Sequence, residues 1–309
     1  MSNKVFIIGN GFDLDLGMNT RYSDFANSDN WPKTHYIGRS LSDHLHRKSH
    51  LLKWFDLEAE LLVYAQLKDK QQGYLYQYKS AVEPDKAFFD ELVKSLTLYI
   101  KNEELRELKQ DAVAAKVLRA IVSSRLFDSI YSFNYTDLHS IANKMGLKSD
   151  FGYEHVHGSV KDNSIILGVD DKSDLLPGYQ YLYKTYSPHY ESHPILFDLL
   201  EADEVVFFGH SLGHNDYHYF KAFFQKQCRE GMERKDSKRI TLFTYDDSSR
   251  IEILEQLRQM NNKNTDLLFN MNQMEVICTN NGGGKRLHQF INRLGEEARV
   301  LKDFYNNVF

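Results

Sequence analysis

Four short polar clusters in this chain each follow an apolar run, and their residue types are those of a site. They are Gly9-Asn10-Gly11-Phe12-Asp13, Asn134-Tyr135-Thr136-Asp137, His157-Gly158-Ser159, and residues 209–216, GHSLGHND. Glycines at a strand exit let the backbone turn sharply. A phosphate beside them can meet main-chain N–H groups with no Cβ in the way. The bland reading of each cluster is an ordinary turn, and Asn134 and Asp137 are also good helix-capping types. In a parallel sheet, however, the carboxyl ends of all strands lie along one edge. Four such turns would then meet in one crevice, which says more than any one of them.

The last cluster admits two other chemistries. Gly209-His210-Ser211-Leu212-Gly213 is a literal G-x-S-x-G between a buried strand and a helix, the context of a nucleophile elbow. Asp246 or Asp247, then His288, would complete a serine hydrolase in the order Ser, Asp, His. Against this, His288 falls inside an amphipathic helical pattern, and the clusters at 9–13, 134–137 and 155–159 stay unexplained. His210, His214 and His218 recur at i, i+4 and i+8 and on one helix would share a face fit for zinc. Gly213 interrupts that helix, so no metal is expected.

The elements that must position these clusters follow an α/β rhythm. Val5-Phe6-Ile7-Ile8 is an unbroken apolar run, as for a strand buried on both faces. Thr20 is placed to cap a short helix through Phe25. From about residue 41 the pattern is helical: Trp54, Leu57, Leu61 and Leu62, then Phe88, Leu92, Leu96 and Tyr99, then Leu105 to Leu118. Glu83-Pro84-Asp85 reads as a helix start, and Gln71-Gln72-Gly73 as a loop. No strand is expected between 35 and 125.

Strand patterns return at 130–133, 205–208, 240–245 and 276–278. A short extended piece ends at 155–159, and Ile165-Ile166-Leu167 is a further apolar run. Thr136 or Asp137 caps a helix ending at Gly146, and residues 170–192, rich in tyrosine, read as an irregular lid or loop. Further helices are expected at 195–200, 216–227, 249–260 and 285–302. Alternating strands and helices imply a parallel sheet with helices on both faces.

The chain has 309 residues, with 38 basic and 43 acidic side chains and a net charge of −5, so no basic excess indicates nucleic acid. Cys228 and Cys278 form neither a zinc motif nor a disulfide framework, and a reducing cytoplasm fits best. No signal peptide or membrane-length apolar stretch is evident.

GNGFDL at 9–14, SFNYTD at 132–137, HVHGS at 155–159 and FFGHSLGHND at 207–216 resemble the motifs of the AbiH family of phage abortive-infection proteins. WFDLEAEL at 54–61 resembles that family's Trp-x-Asp-x-Glu segment. More distantly, the order of motifs resembles sirtuin-like NAD-hydrolysing domains.

That resemblance implies a chemistry. Cleaving nicotinamide from NAD develops positive charge on the ribose, so the protein must position ribose and water and stabilise that charge. His157 would contact the ribose hydroxyls as general base, since its ordinary pKa lies near neutrality. Asn134, with both donor and acceptor, would position ribose or water, and Asp137 would orient either residue. Gly9, Asn10 and Gly11 would hold the pyrophosphate, and Gly209 and Ser211 the adenosine side. Phe12, Asp13, Gly158 and Asp216 complete the binding set. Asp13 is the odd member, a carboxylate that repels phosphate unless it bonds a ribose hydroxyl or caps the turn. Asp56 and Glu58 lie two apart on a helix, so only one can face inward. They read as fold-supporting, with a site role open for Glu58.

The expectation is therefore a Rossmann-like, sirtuin-like α/β core, residues 1–34 and 126–309, with an all-helical insertion at 35–125. It acts in antiphage defence, with NAD or a related nucleotide as substrate and no metal. A homo-oligomer or a neighbouring defence protein is a plausible partner. Serine hydrolase and non-catalytic nucleotide sensor are the alternatives.

Overall fold

A computed structural model describes residues 3–33, 40–51, 55–70 and 75–308. Its strands are β1 (Lys4–Ile8), β2 (Ser129–Ser132), β3 (Glu154–His155), β4 (Glu204–Phe208), β5 (Arg239–Thr244) and β6 (Gln273–Cys278). They form one sheet in the order β3-β2-β1-β4-β5-β6, and every pairing is parallel. The described helices are α1 (Gly11–Asp15), α2 (Tyr22–Ala26), α3 (Leu41–Leu51), α4 (Leu57–Lys70), α5 (Leu75–Glu104), α6 (Val113–Ser124) and α7 (Leu138–Lys144). After them come α8 (Ile195–Glu201), α9 (Tyr217–Lys226), α10 (Asp247–Met260), α11 (Thr265–Met271) and α12 (Gly284–Val308). The Rossmann-like class expected from the sequence is the one found. Among the described residues no helix is long and apolar enough to cross a membrane.

The strands are continuous apolar runs because both faces of the sheet are covered. Successive side chains of a strand point to opposite faces. Val5 and Ile7 thus join Val205, Phe207, Ile240 and Leu242 under α8, α9, α10 and α11. Phe6 and Ile8 join Val206, Phe208 and Phe243 under α1, α6, α7 and α12. A third core lies apart from the sheet. There Leu41, Leu45, Leu57, Leu61, Leu92 and Leu96 pack on Val160, Ile165, Leu167, Tyr179 and Leu182.

The helices on either side of the boundaries at 35 and 125 share cores. Helix α6 belongs to the sheet, because Val117, Leu118 and Ile121 are buried with Phe290 and Leu294 of α12. Helices α3, α4 and α5 share their core with α2 and with residues 160–182, which the sequence reading assigned to the other unit. Pro84 does not start a helix but lies inside α5. Ile165 and Leu167 are buried in the third core without forming a strand, and helix α11 had no counterpart in the sequence reading. Thr20 is no cap, since Arg21 holds that position. Its hydroxyl donates to Asn10 Oδ1 at 2.5 Å. Trp54 and the loop expected at 71–73 lie outside the described residues.

Strands β1 and β4 leave the sheet side by side, and there backbone meets backbone. Gly9 N donates to Phe208 O and Gly11 N to Gly209 O, both at 2.9 Å. A Cβ on Gly9 would lie 2.5 Å from His210 Cα; on Gly11, 2.6 Å from Gly209 Cα; on Gly209, 2.5 Å from Gly11 Cα. Gly209 also has φ +64°, a left-handed conformation that costs side-chain-bearing residues about 1–2 kcal/mol. Gly209→Ala is expected to lose about 2–4 kcal/mol of stability, strain and overpacking combined. Gly146 has φ +71° but open space around it, so Gly146→Ala should lose only about 1–2 kcal/mol. Urea unfolding of the two variants measures the difference, which isolates the packing contact.

Candidate functional site

The exits of β1 and β2 are stitched together first. Asn134, just past β2, donates Nδ2 to Gly9 O at 3.1 Å. Two residues on, Thr136 Oγ1 donates to Asp13 Oδ2 of α1 at 2.9 Å. Asp13 is buried, and its Oδ1 has no hydrogen-bond partner among the described residues. Burial pushes its carboxyl up to about 7, offset only in part by the bonds from Thr136 and Asn134.

The exits of β3 and β4 meet in a second cluster. His157 Nε2 lies 3.0 Å from Asp216 Oδ1. His210 Nδ1 accepts the Leu212 amide at 3.0 Å, so its proton sits on Nε2, which faces Asp216 Oδ2 at 3.5 Å. Lys184 reaches in from the irregular segment, 3.0 Å from Glu58 Oε2 and 4.0 Å from Asp216 Oδ1. Asn215 Nδ2 donates to Glu58 Oε2 at 3.2 Å. Phe133 packs edge-on beneath both histidine rings, 5.3 Å from His157 and 4.5 Å from His210.

The charges in this cluster are set by burial. Burial and the Lys184 charge push His157 down to about 4, so at neutral pH the ring is uncharged. It donates Nε2–H to Asp216 and keeps Nδ1 as an acceptor. Burial alone would raise Asp216, but His157 and Lys184 outweigh it and hold the carboxylate well below its ordinary range. Glu58 goes the other way: burial lifts it to about 7 despite Lys184. Lys184 is raised, because Glu58 and Asp216 outweigh its own desolvation. Beside Glu58 the hydroxyls of Tyr22 and Tyr135 meet at 3.1 Å, and both phenols are raised, by burial first and by Glu58 next.

Asp137 has a different setting. It caps α7 by accepting the His139 amide, and Tyr153 donates to the same oxygen at 2.6 Å. Burial tends to raise it, yet these bonds and Lys161 leave it below the usual range. Capping therefore accounts for this residue type. His155, linked to Tyr153 and to Asn134 O, completes this side network.

Several expected binding residues are explained by packing. Phe12 is fully buried, edge-on to Phe208, in the apolar layer rather than the crevice. Gly158 has φ +72°, and a Cβ there would lie 1.9 Å from Ser164 O. The amides of Gly9, Gly11 and Phe12 already donate to carbonyls of the fold. A pyrophosphate at this turn would meet those three donors already bonded. Ser211 is exposed beside the cluster, Gly209 is inside the backbone contact, and Asp216 lies at the cluster's centre.

Neither alternative chemistry is assembled. Ser211 Oγ accepts the Gly213 amide, Asp246 caps α10 through Ser249, and His288 bonds Gly284 O of its own helix. Beside Gly209, the left-handed residue of this string is Leu212, not Ser211. His214 and His218 are parted by the start of α9, and no metal-binding group occurs among the described residues. A cleft of about 510 Å³, lined by Arg125, Ser129, Tyr131, Asp150 and Glu154 among others, lies at the other end of β2, away from this chemistry. The candidate site itself is closed: Asn134, His157, His210, Glu58 and Lys184 are all buried.

The sequence names His157, Asn134 and Asp216, offers His210 only as a zinc ligand or part of the G-x-S-x-G string, and does not mark Lys184. Glu58 was left open; its position on α4, facing Lys184, gives it a place in the cluster. No motif marks Lys184, a lone lysine among tyrosines.

Fold and site together define a class: a Rossmann-like α/β protein whose polar residues gather at the carboxyl ends of its strands. Within that class the chain belongs to the AbiH family, described as bacteriophage abortive infection AbiH, whose family model matches residues 5–234. That span holds β2 to β4, all of β1 but Lys4, and every residue of the cluster. A comparison with curated proteins gave no match.

Two outcomes test this geometry. A fluorophosphonate probe should leave Ser211 unlabelled, read by mass spectrometry of the 209–216 peptide. The raised Asp13 binds a proton in the folded state that the unfolded chain releases near its ordinary pKa of 3.8. Its contribution is thus present below about 4 and lost as pH rises through about 7. Asp13→Asn should therefore gain stability relative to the parent between pH 5 and pH 8, by on the order of a few kcal/mol, measured by urea midpoints.

Proposed function

We propose that this protein serves abortive infection by binding NAD, or a related nucleotide such as ADP-ribose, at the β1/β4 switch point and hydrolysing NAD to nicotinamide and ADP-ribose. One observation carries the reading: the exits of β1, β2, β3 and β4, which bear Gly9, Asn134, His157 and Gly209, share the carboxyl edge of one parallel sheet, the edge at which Rossmann-type sheets take dinucleotides. The distant sirtuin-like order of motifs supports the choice of NAD.

In this reading water attacks the ribose carbon, the glycosidic pair leaves with nicotinamide, and the water proton passes to a protein base. The leaving group is already good, so positioning and charge stabilisation do most of the work. His157, neutral and fixed by Asp216, presents Nδ1 to a ribose hydroxyl. Asn134, anchored on Gly9 O, turns its amide oxygen to the water or sugar. Asp137 acts through α7, holding the turn that carries Asn134. The Asp216 carboxylate faces the charge that develops on the sugar. The setting is the cytoplasm, and a second copy or a neighbouring defence protein restrains the activity until infection.

The test is purified protein with NAD, following both bound nucleotide and released nicotinamide. Asn134→Ala and His157→Ala should each lower turnover by about 10²–10⁴-fold. Turnover that persists in both removes the catalytic assignment. NAD bound but never consumed favours the nucleotide sensor, and no binding at all overturns the proposal.

A further inference from the structure

Lys184 is the least expected member of the site. Its side chain is 6% exposed, yet of its three donors only one makes a close bond, to Glu58 Oε2 at 3.0 Å. His157 Nε2 and Asp216 Oδ1 stand farther off, at 3.5 and 4.0 Å. The groups around it come from separate parts of the chain: Glu58 from α4, His157 from the exit of β3, Asp216 from the turn before α9. A buried ammonium normally needs full pairing. This one is enclosed by carboxylates yet only singly bonded. Phe133 and Tyr219 pack on its neighbour His157, with ring centroids 5.3 and 6.4 Å from that ring, and a place that already encloses one cation between two carboxylates has the charge to take another.

We propose that Glu58 and Asp216 form a recognition site for a cationic ring, and that the Lys184 ammonium is a tethered occupant which such a ligand displaces. The identity of the ligand rests on the NAD reading: oxidised NAD carries a pyridinium cation, and its reduced form does not. The helical block then contributes to specificity through Glu58, and the closed site is the resting form.

The test is thermal unfolding of Lys184→Met with 1-methylnicotinamide, the cationic ring alone, and with neutral nicotinamide at matched ionic strength. Lys184→Met should melt below the parent, because two buried carboxylates lose their cation. 1-Methylnicotinamide should raise its melting temperature by several degrees, and that of the parent by less, while nicotinamide moves neither. Lys184→Met with Glu58→Gln should lose the response. If Lys184→Met does not fold unaided, refolding from urea should recover it with 1-methylnicotinamide and not with nicotinamide. No response, an equal response in the parent, or an equal effect of nicotinamide overturns the proposal. The NAD reading fails separately: a cation response without NAD binding in any variant keeps this subsite and removes that substrate, whereas NAD turnover without a cation response does the reverse.

Discussion

The contact on which the rest depends is the one between two glycine turns. Gly9 and Gly11 leave β1, Gly209 leaves β4, and their main chains touch with no side chain between them. The two turns are some 200 residues apart in the chain, and the contact fixes the strands where the order of the sheet reverses. It also moves the site. With the turns pressed together, the polar side chains gather beside them, where Asn134 bonds Gly9 O and His157 meets Asp216. The glycines that look like ligand glycines in the sequence have their reason in each other.

The second constraint is charge balance in a closed space. Ions removed from water cost several kcal/mol each unless paired. Here Lys184 and Asp216 are charged, His157 is neutral, and Glu58 sits near its titration point. The cluster is neutral only while Glu58 keeps its proton, and carries one negative charge once it is lost. That carboxyl stands on α4, outside the sheet, so the protonation of the site and the seating of the helical block are one problem.

Much of this was legible in the sequence, and the reasons are local. Unbroken apolar runs marked β1 and β4 because both faces of the sheet are covered. Polar turns marked the strand exits because parallel strands share a carboxyl edge. What stayed hidden depends on which surfaces meet. Periodicity gives α6 as a helix but not the core it joins, so α6 was assigned to the insertion. Two-residue β3 is too short for a pattern, and residues 165–167 are apolar because they are buried, not because they pair. Asp137 has the residue type of both a cap and a catalyst, and the cap shows only in its bond to the His139 amide. Lys184 needs three distant partners to be noticed, and none is near it in sequence.

How Lys184 could yield its place follows from what holds its neighbours. Asp85, on α5, accepts the Leu41 amide at 2.8 Å, the Tyr64 hydroxyl at 2.5 Å and the Tyr179 hydroxyl at 2.7 Å. One buried carboxylate thereby ties α3, α4 and α5 to the segment that carries Lys184. The backbone of Lys184 is pinned as well, donating to Val169 O at 3.0 Å, while Val169 donates to Leu182 O at 2.8 Å. Segment and helical block are thus one packed body, and lifting it would break Asp85's bonds along with the third core. Only the side chain is lightly held, by a single close bond at the end of a flexible four-carbon stem. The cheaper route is rotation of that stem, which frees the ammonium position and leaves Glu58 in place to meet what enters.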